Sequence, residues 1–344
     1  MFEIARKIAL NEETFIETPL LIPSFSSKGF GFSNKGKSEI HDAFNFTKEQ
    51  LTESLLVSAY DIYYKNIALP YRSIKPDITF LDSGGYEVSN FYDFSATMKL
   101  NYPIEKWTEK QYHKVINKWP VYIPLVIVNY DDNMKGKKIT KQIEVASHFF
   151  SKYKNKIYDL LIKPEHRNKP YLNIDSICNN IKLMNKFHII GVTEKELGAS
   201  LLDRMINISK IRKRLNDEGL GMPIHVFGGL DPLSCIFYFL SGAEIFDGLT
   251  WLRYSYLDNV ALYLQNYSIL NDTMGIQHKD SLIKAKSLRD NLIALTNLKF
   301  LMRTFVSKKD FDIFGARSSS YLKDSYTTYI HELEKNGLIR KEDL

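Results

Sequence analysis

The stretch PIHVFGGLDPLSCIFYFLSGAEIFDGL, residues 223–249, sets two short apolar runs on either side of a helical segment. The runs at 223–228 and 243–249 have the Val/Ile/Leu/Phe character of parallel strands buried on both faces. Between them, Asp231 can cap a helix, Pro232 suits its first position and Gly242 suits its end. Strand, helix and strand in this order make a βα unit.

The same alternation extends outward. Residues 54–60, 77–82, 121–130, 158–163 and 187–192 read as strands, and 199–217 reads as a helix. That helix carries Leu201, Leu202, Met205, Ile206, Ile208, Ile211 and Leu215 mainly on one side and stops at Glu218-Gly219. Seven strands in a chain of 344 residues predict an α/β fold, a (β/α)8 TIM barrel in preference to an open doubly wound sheet. No repeat, low-complexity tract or Pro/Gly-rich linker divides the sequence.

With 44% hydrophobic and 25% charged residues, the chain can bury a sizeable core. No apolar run reaches about 18 residues, which argues against a membrane span. Residues 1–15 place acids close behind a short mixed segment and offer no small-residue cleavage site, so a cytoplasmic protein is expected. Cys178 and Cys235 make neither a disulfide framework nor a CxxC pair; they read as small buried hydrophobes rather than nucleophiles. The net charge of +6 is unevenly placed. Lysines crowd 135–156, a run from Arg204 to Arg214 holds five basic residues, and a third group spans Lys279 to Arg303. Such patches suit a phosphate backbone, and they equally suit solvated helix faces.

In a barrel, chemistry gathers where strands end and βα loops begin. The ends here carry Asp82-Ser83-Gly84-Gly85, Tyr130-Asp131-Asp132, Lys163-Pro164-Glu165-His166, Gly191, Phe227-Gly228-Gly229 and Phe246-Asp247. Asp and Gly populate loops regardless. Three strand-end carboxylates in one ring, however, make a carboxylate-lined pocket the expected site.

Four of these segments carry a resemblance. FLDSGGYE (80–87), HIIGVTEKELG (188–198), HVFGGLDP (225–232) and GAEIFDGLTWLR (242–253) resemble, in the same order, motifs of the tRNA-guanine transglycosylase family, which exchanges guanine for a 7-deazaguanine. The likeness covers roughly residues 15–305. It implies Asp247 as nucleophile and Asp82 as general acid/base. A carboxylate attacks an oxocarbenium-like sugar carbon well, and a second carboxyl can protonate the departing guanine and deprotonate the incoming base. The resemblance further implies that Asp131 reads the paired donors of guanine, with Asp132 a near-equal alternative and Asn129 a weaker one. Gly191 would offer a backbone N–H to the base carbonyl, where Lys163 stands in place of the family's glutamine. Gly84 and Gly85 would let the base approach the backbone, with Ser83, Gly228 and Gly229 lining the same site. Tyr86 would pack near the base or in the core. Arg253 would meet the sugar-phosphate backbone or a surface acid, and Lys137, Lys138, Arg212 and Lys213 would hold phosphates.

The sequence departs from that family in three places. Its Cys-x-Cys-x2-Cys…His zinc pattern is missing, because residues 248–344 contain no cysteine and only His278 and His331. No metal and no other cofactor is expected, and a small metal-free replacement is expected within 251–286. Glu87 stands where glutamine is usual, and Lys163 adds a charge. Residues 1–306 are expected to form the barrel, closed by a helix over 287–306, and 307–344 to form a helical extension. A zinc-less relative suits the branch of the superfamily that modifies DNA in bacteria and phages. The expected partners are therefore a nucleic acid, DNA in preference to tRNA, and a 7-deazaguanine such as preQ0, with no membrane. A homodimer or a partner protein of a DNA-modification system is also implied. On duplex DNA the target base would have to be extruded. The alternatives are a tRNA enzyme, a non-catalytic nucleic-acid-binding or partner-supporting barrel, and a hydrolase of free nucleosides.

Overall fold

Eight parallel strands close on themselves in the computed structural model, which describes residues 7–9, 15–32, 37–72, 74–89, 104–131, 134–271 and 273–339. The strands are β1 (Leu20–Phe25), β2 (Ser54–Ser58), β3 (Ile78–Asp82), β4 (Leu125–Val128), β5 (Ile157–Ile162), β6 (Ile189–Thr193), β7 (Ile224–Phe227) and β8 (Ile245–Gly248). Each pairs with its neighbour in sequence, and β8 closes onto β1 with Asp247 opposite Ile22. With helices packed around it, the architecture is an α/β (β/α)8 TIM barrel. Seven strands are those expected. The eighth, β1, contains Pro23, which marks against an interior strand because proline cannot donate to the ladder.

The period-two alternation of the strands divides the core. Leu20, Ile22, Leu56, Ile78, Phe80, Val126, Val128, Ile157, Leu161, Ile189, Phe227 and Ile245 fill the barrel interior. Leu21, Leu81, Leu160, Ile190, Val226 and Phe246, one residue out of step, pack under the helices. A short hairpin, Lys7–Ala9 against Phe15–Glu17, adds Ile8 and Ile16 to the interior cluster beside the first residues of the strands. The strand-start end is thereby plugged, and the opposite end is left as the mouth.

The helix Leu201–Asp217 opens on a reciprocal capping box between Ser200 and Asp203, and Pro232–Leu240 is capped by Asp231. One expectation fails on the first of these. Arg212 is fully buried, its guanidinium 2.5 Å from Glu244 and donating to the carbonyls of Met222 and Gly242. Those carbonyls precede β7 and β8, so this end of the helix lies at the strand-start end. Lys213, paired with Asp217 at 2.9 Å, lies there too. Neither can hold phosphate at the mouth.

Residues 251–270 form a helical turn, an antiparallel hairpin (Ser255–Leu257 with Val260–Leu262) and the helix Leu264–Leu270. The helix Asp280–Lys308 follows, then Ala316–Lys335, whose Leu322, Tyr329 and Leu333 are buried. No helix among the described residues is long and apolar enough to cross a membrane.

Candidate active site

The strand alternation decides which polar groups enter the barrel. Ile78 and Phe80 point inward, so Asp82 does too; Ile245 carries Asp247 inward by the same step. On β5 and β7 the inward positions include Asp159 and His225, both fully buried. On β1 the inward position after Ile22 is Ser24.

Asp247 is held from three sides. The Ser24 hydroxyl donates to its Oδ2 at 2.7 Å, and the Gly228 N–H donates to Oδ1 at 3.2 Å. His225 Nε2 lies 3.2 Å from the same Oδ1, at ion-pair distance though not aligned as a hydrogen bond. Ser24 Oγ also accepts from the Gly248 N–H at 3.0 Å, which fixes the hydroxyl's direction.

Asp82 has a different environment. Burial, followed by the nearby charge of Asp131, pushes its carboxyl up to about 7, and Asp247 pushes the same way. The Gly84 N–H, which donates to Asp82 Oδ2 at 3.2 Å, and the Lys163 charge act against that rise. Asp82 thus gains and loses its proton around neutrality, beside carboxylates that do not share its hydrogen bonds.

Asp131 is set by the Asp-Ser-Gly-Gly segment. Ser83 Oγ donates to its Oδ1 at 2.6 Å, and Trp107 Nε1 donates to the Ser83 carbonyl at 2.8 Å. Gly84 turns the chain at φ +85, against Trp107 and Tyr60. Lys163 Nζ donates to Thr193 Oγ1 at 3.0 Å and lies 3.5 Å from Glu196 and 3.6 Å from Asp131. Burial alone would lower its pKa, but Glu196, Asp131 and Asp82 raise it, so the ammonium stays charged. Tyr86 is half-buried, with the Lys28 ammonium 4.4 Å from its ring centre.

Asp82, Ser83, Gly84, Gly85, Asp131, Lys163, Gly228 and Asp247 therefore meet at the mouth. Other expected positions are placed differently. Asn129 spends its side-chain amide on Leu161, donating to its carbonyl at 3.1 Å and accepting from its N–H at 2.7 Å, so it is a strand clip and not a base reader. Gly191 sits within the ladder between Leu161 and His225. A Cβ there would stand 2.6 Å from the Phe227 ring and 2.7 Å from Asp159 Oδ1, so internal packing accounts for the glycine. Gly229 is buried against Val226 and Tyr238. Asp132 lies outside the described residues. Lys137 and Lys138 lead into the helix Ile139–Phe150 at the mouth end, and Arg253 reaches the Lys28 carbonyl beside Phe30.

Glu87 is buried, accepting from the Ser26 and Ser58 hydroxyls. Burial, then Asp61 and Asp82, pushes its carboxyl up to about 8, so at neutral pH it is mainly uncharged. Among the described residues no group of three or more His, Cys, Asp or Glu is placed to hold a metal ion.

Ser24, Asp159 and His225 were not singled out from sequence. The signal was present for two of them: a charged and an ionisable residue inside otherwise apolar parallel strands must find partners. Comparison with protein-family models and with curated proteins gives no match.

Proposed function

We propose that this barrel is a base-exchanging transglycosylase that replaces guanine in a polynucleotide, DNA in preference to tRNA, with a 7-deazaguanine. The observation that carries the reading is the division of labour between two carboxyl groups at one mouth. Asp247 is oriented by Ser24 and Gly228, while Asp82 exchanges its proton near pH 7.

In the first half-reaction an Asp247 oxygen attacks the sugar C1′. The C1′–N9 bond breaks, its electron pair goes to guanine N9, and Asp82 supplies a proton there. In the second half, ionised Asp82 takes the N9 proton of the incoming base. The base nitrogen bonds to C1′ and Asp247 leaves as carboxylate. A carboxyl with a pKa near the working pH serves both directions equally well. Asp131, held by Ser83, accepts from the base N1–H and exocyclic amine, and the Lys163 ammonium donates to the base carbonyl. The preference for DNA rests on the absence of the zinc-binding cysteines, whose segment is here a hairpin and a short helix. Arg253, Lys137 and Lys138 are the cations offered to phosphate.

The test is exchange of labelled guanine into duplex DNA, single-stranded DNA and tRNA. Incorporation into DNA that disappears in Asp247→Asn and Asp82→Asn supports the reading. No incorporation into any of the three rejects it.

A further inference from the structure

His225 has no exposed surface and lies between carboxylates from two other strands. Its Nδ1 is 2.6 Å from Asp159 Oδ2, and its Nε2 is 3.2 Å from Asp247 Oδ1. Phe227 stacks on the ring with centroids 3.8 Å apart, and Phe80 meets it edge-on at 5.5 Å. Gly191, lacking a Cβ, leaves room for Asp159 and Phe227 to reach it. A ring nitrogen facing a carboxylate oxygen must carry hydrogen, and a neutral imidazole carries only one. The Nδ1 hydrogen bond to Asp159 takes that one hydrogen, and a second carboxylate oxygen within ion-pair distance of Nε2 favours the imidazolium. Asp159 Oδ1 has no hydrogen-bond partner among the described residues. Burial pushes the Asp159 carboxyl up while the charge and hydrogen bond of His225 act against that rise, so an ionised Asp159 needs this opposing charge beside it.

We propose that His225, locked by Asp159, is a positioning residue: a standing imidazolium beneath the nucleophile that sets a positive charge against Asp247 and keeps it aimed at the mouth. What Asp247 then does rests on the transglycosylase reading; the charge on His225 does not. The charged groups facing the ring are Asp159 from β5 and Asp247 from β8, while β3, β6 and β7 present Phe80, Gly191 and Phe227. Burial alone would lower the imidazole pKa, but the two carboxylates outweigh it and raise it to about 9. Below that value the ring is charged, and it loses its proton only as the pH rises through it. The arrangement separates the two carboxyls: Asp247 has a cation against it, while the largest charge effect on Asp82 is that of Asp131.

The test uses the full chain labelled with 15N-histidine, the His225 signal being identified by its loss in His225→Gln. Both ring nitrogens are expected to stay protonated through about pH 8 in the wild type. In Asp159→Asn the midpoint should fall by more than about one pH unit. In parallel, Asp159→Asn should form a sugar adduct at least about tenfold more slowly at saturating DNA, with KM little changed. The loss should be greatest above the lowered His225 midpoint, a pH signature that a merely structural defect would not produce. A neutral His225 at about pH 7 in the wild type overturns the proposal, and that measurement needs no folded variant. So does an Asp159→Asn protein that forms adduct at the wild-type rate at every pH. A wild type that forms no adduct at all rejects the transglycosylase reading instead, and the histidine titration still decides the charge.

Discussion

Gly85 and Asp131 are in direct contact: a Cβ built on Gly85 would stand 2.0 Å from Asp131 Oδ1, the oxygen that accepts the Ser83 hydroxyl. The second glycine of the Asp-Ser-Gly-Gly segment is thus a mould for a carboxylate from the next strand. Gly85→Ala must displace Asp131, and a misplacement of about 1 Å costs on the order of 10²-fold in a positioned site. The expected result is a large fall in kcat/KM for base exchange with little loss of stability. Gly84→Ala should behave differently. Its φ of +85 and its contact with Trp107 predict a loss of about 1–2 kcal/mol in urea denaturation.

Ser24→Ala removes the donor to Asp247 Oδ2 and the acceptor for the Gly248 N–H. One hydrogen bond to a charged group is worth about 1.5–3 kcal/mol. The first glycosyl step should slow by at least about tenfold, with guanine affinity unchanged. Single-turnover kinetics against equilibrium binding of the base would separate the two.

The buried carboxyls make stability depend on pH. Asp82 and Glu87 have folded pKa values of about 7 and about 8, above the ordinary carboxylate range. As pH rises from about 4 to about 8, the unfolded chain has released protons that the native state still binds, so stability falls across that window. Glu87→Gln removes its share of the fall. The Tm difference between about pH 6 and about pH 9 should shrink in that variant, as read by calorimetry. For the same reason the proton-donating half-reaction should decline above about pH 7, where Asp82 ionises.

Much of this arrangement was legible in the sequence. Seven strands followed from apolar runs, and Asp82, Asp131 and Asp247 followed from their places at strand ends. Strand β1 did not, because Pro23 interrupts its reading, and Ser24 was lost with it. Arg212 was assigned to the surface by its basic neighbours. Its spacing tells otherwise, since Met205, Ile208, Arg212 and Leu215 fall on one buried stripe of the helix. The link from Asp159 through His225 to Asp247 joins β5, β7 and β8, and only closure of the barrel makes those positions neighbours.

Arg212 and Arg253 therefore separate stability from binding. Arg212→Ala removes the guanidinium that faces the buried Glu244 carboxylate and should cost about 3–5 kcal/mol in denaturation. It should leave the salt dependence of DNA binding unchanged. Arg253→Ala should keep stability and lower the slope of log K against log salt by about 1.

The central claim is that Asp247 bonds to the sugar, and the most direct measurement is denaturing electrophoresis with peptide mapping after incubation with guanine-containing DNA or tRNA. A denaturation-resistant adduct that maps to Asp247 and is absent in Asp247→Asn is the predicted result. No adduct with either nucleic acid, or an adduct that survives Asp247→Asn, would contradict it.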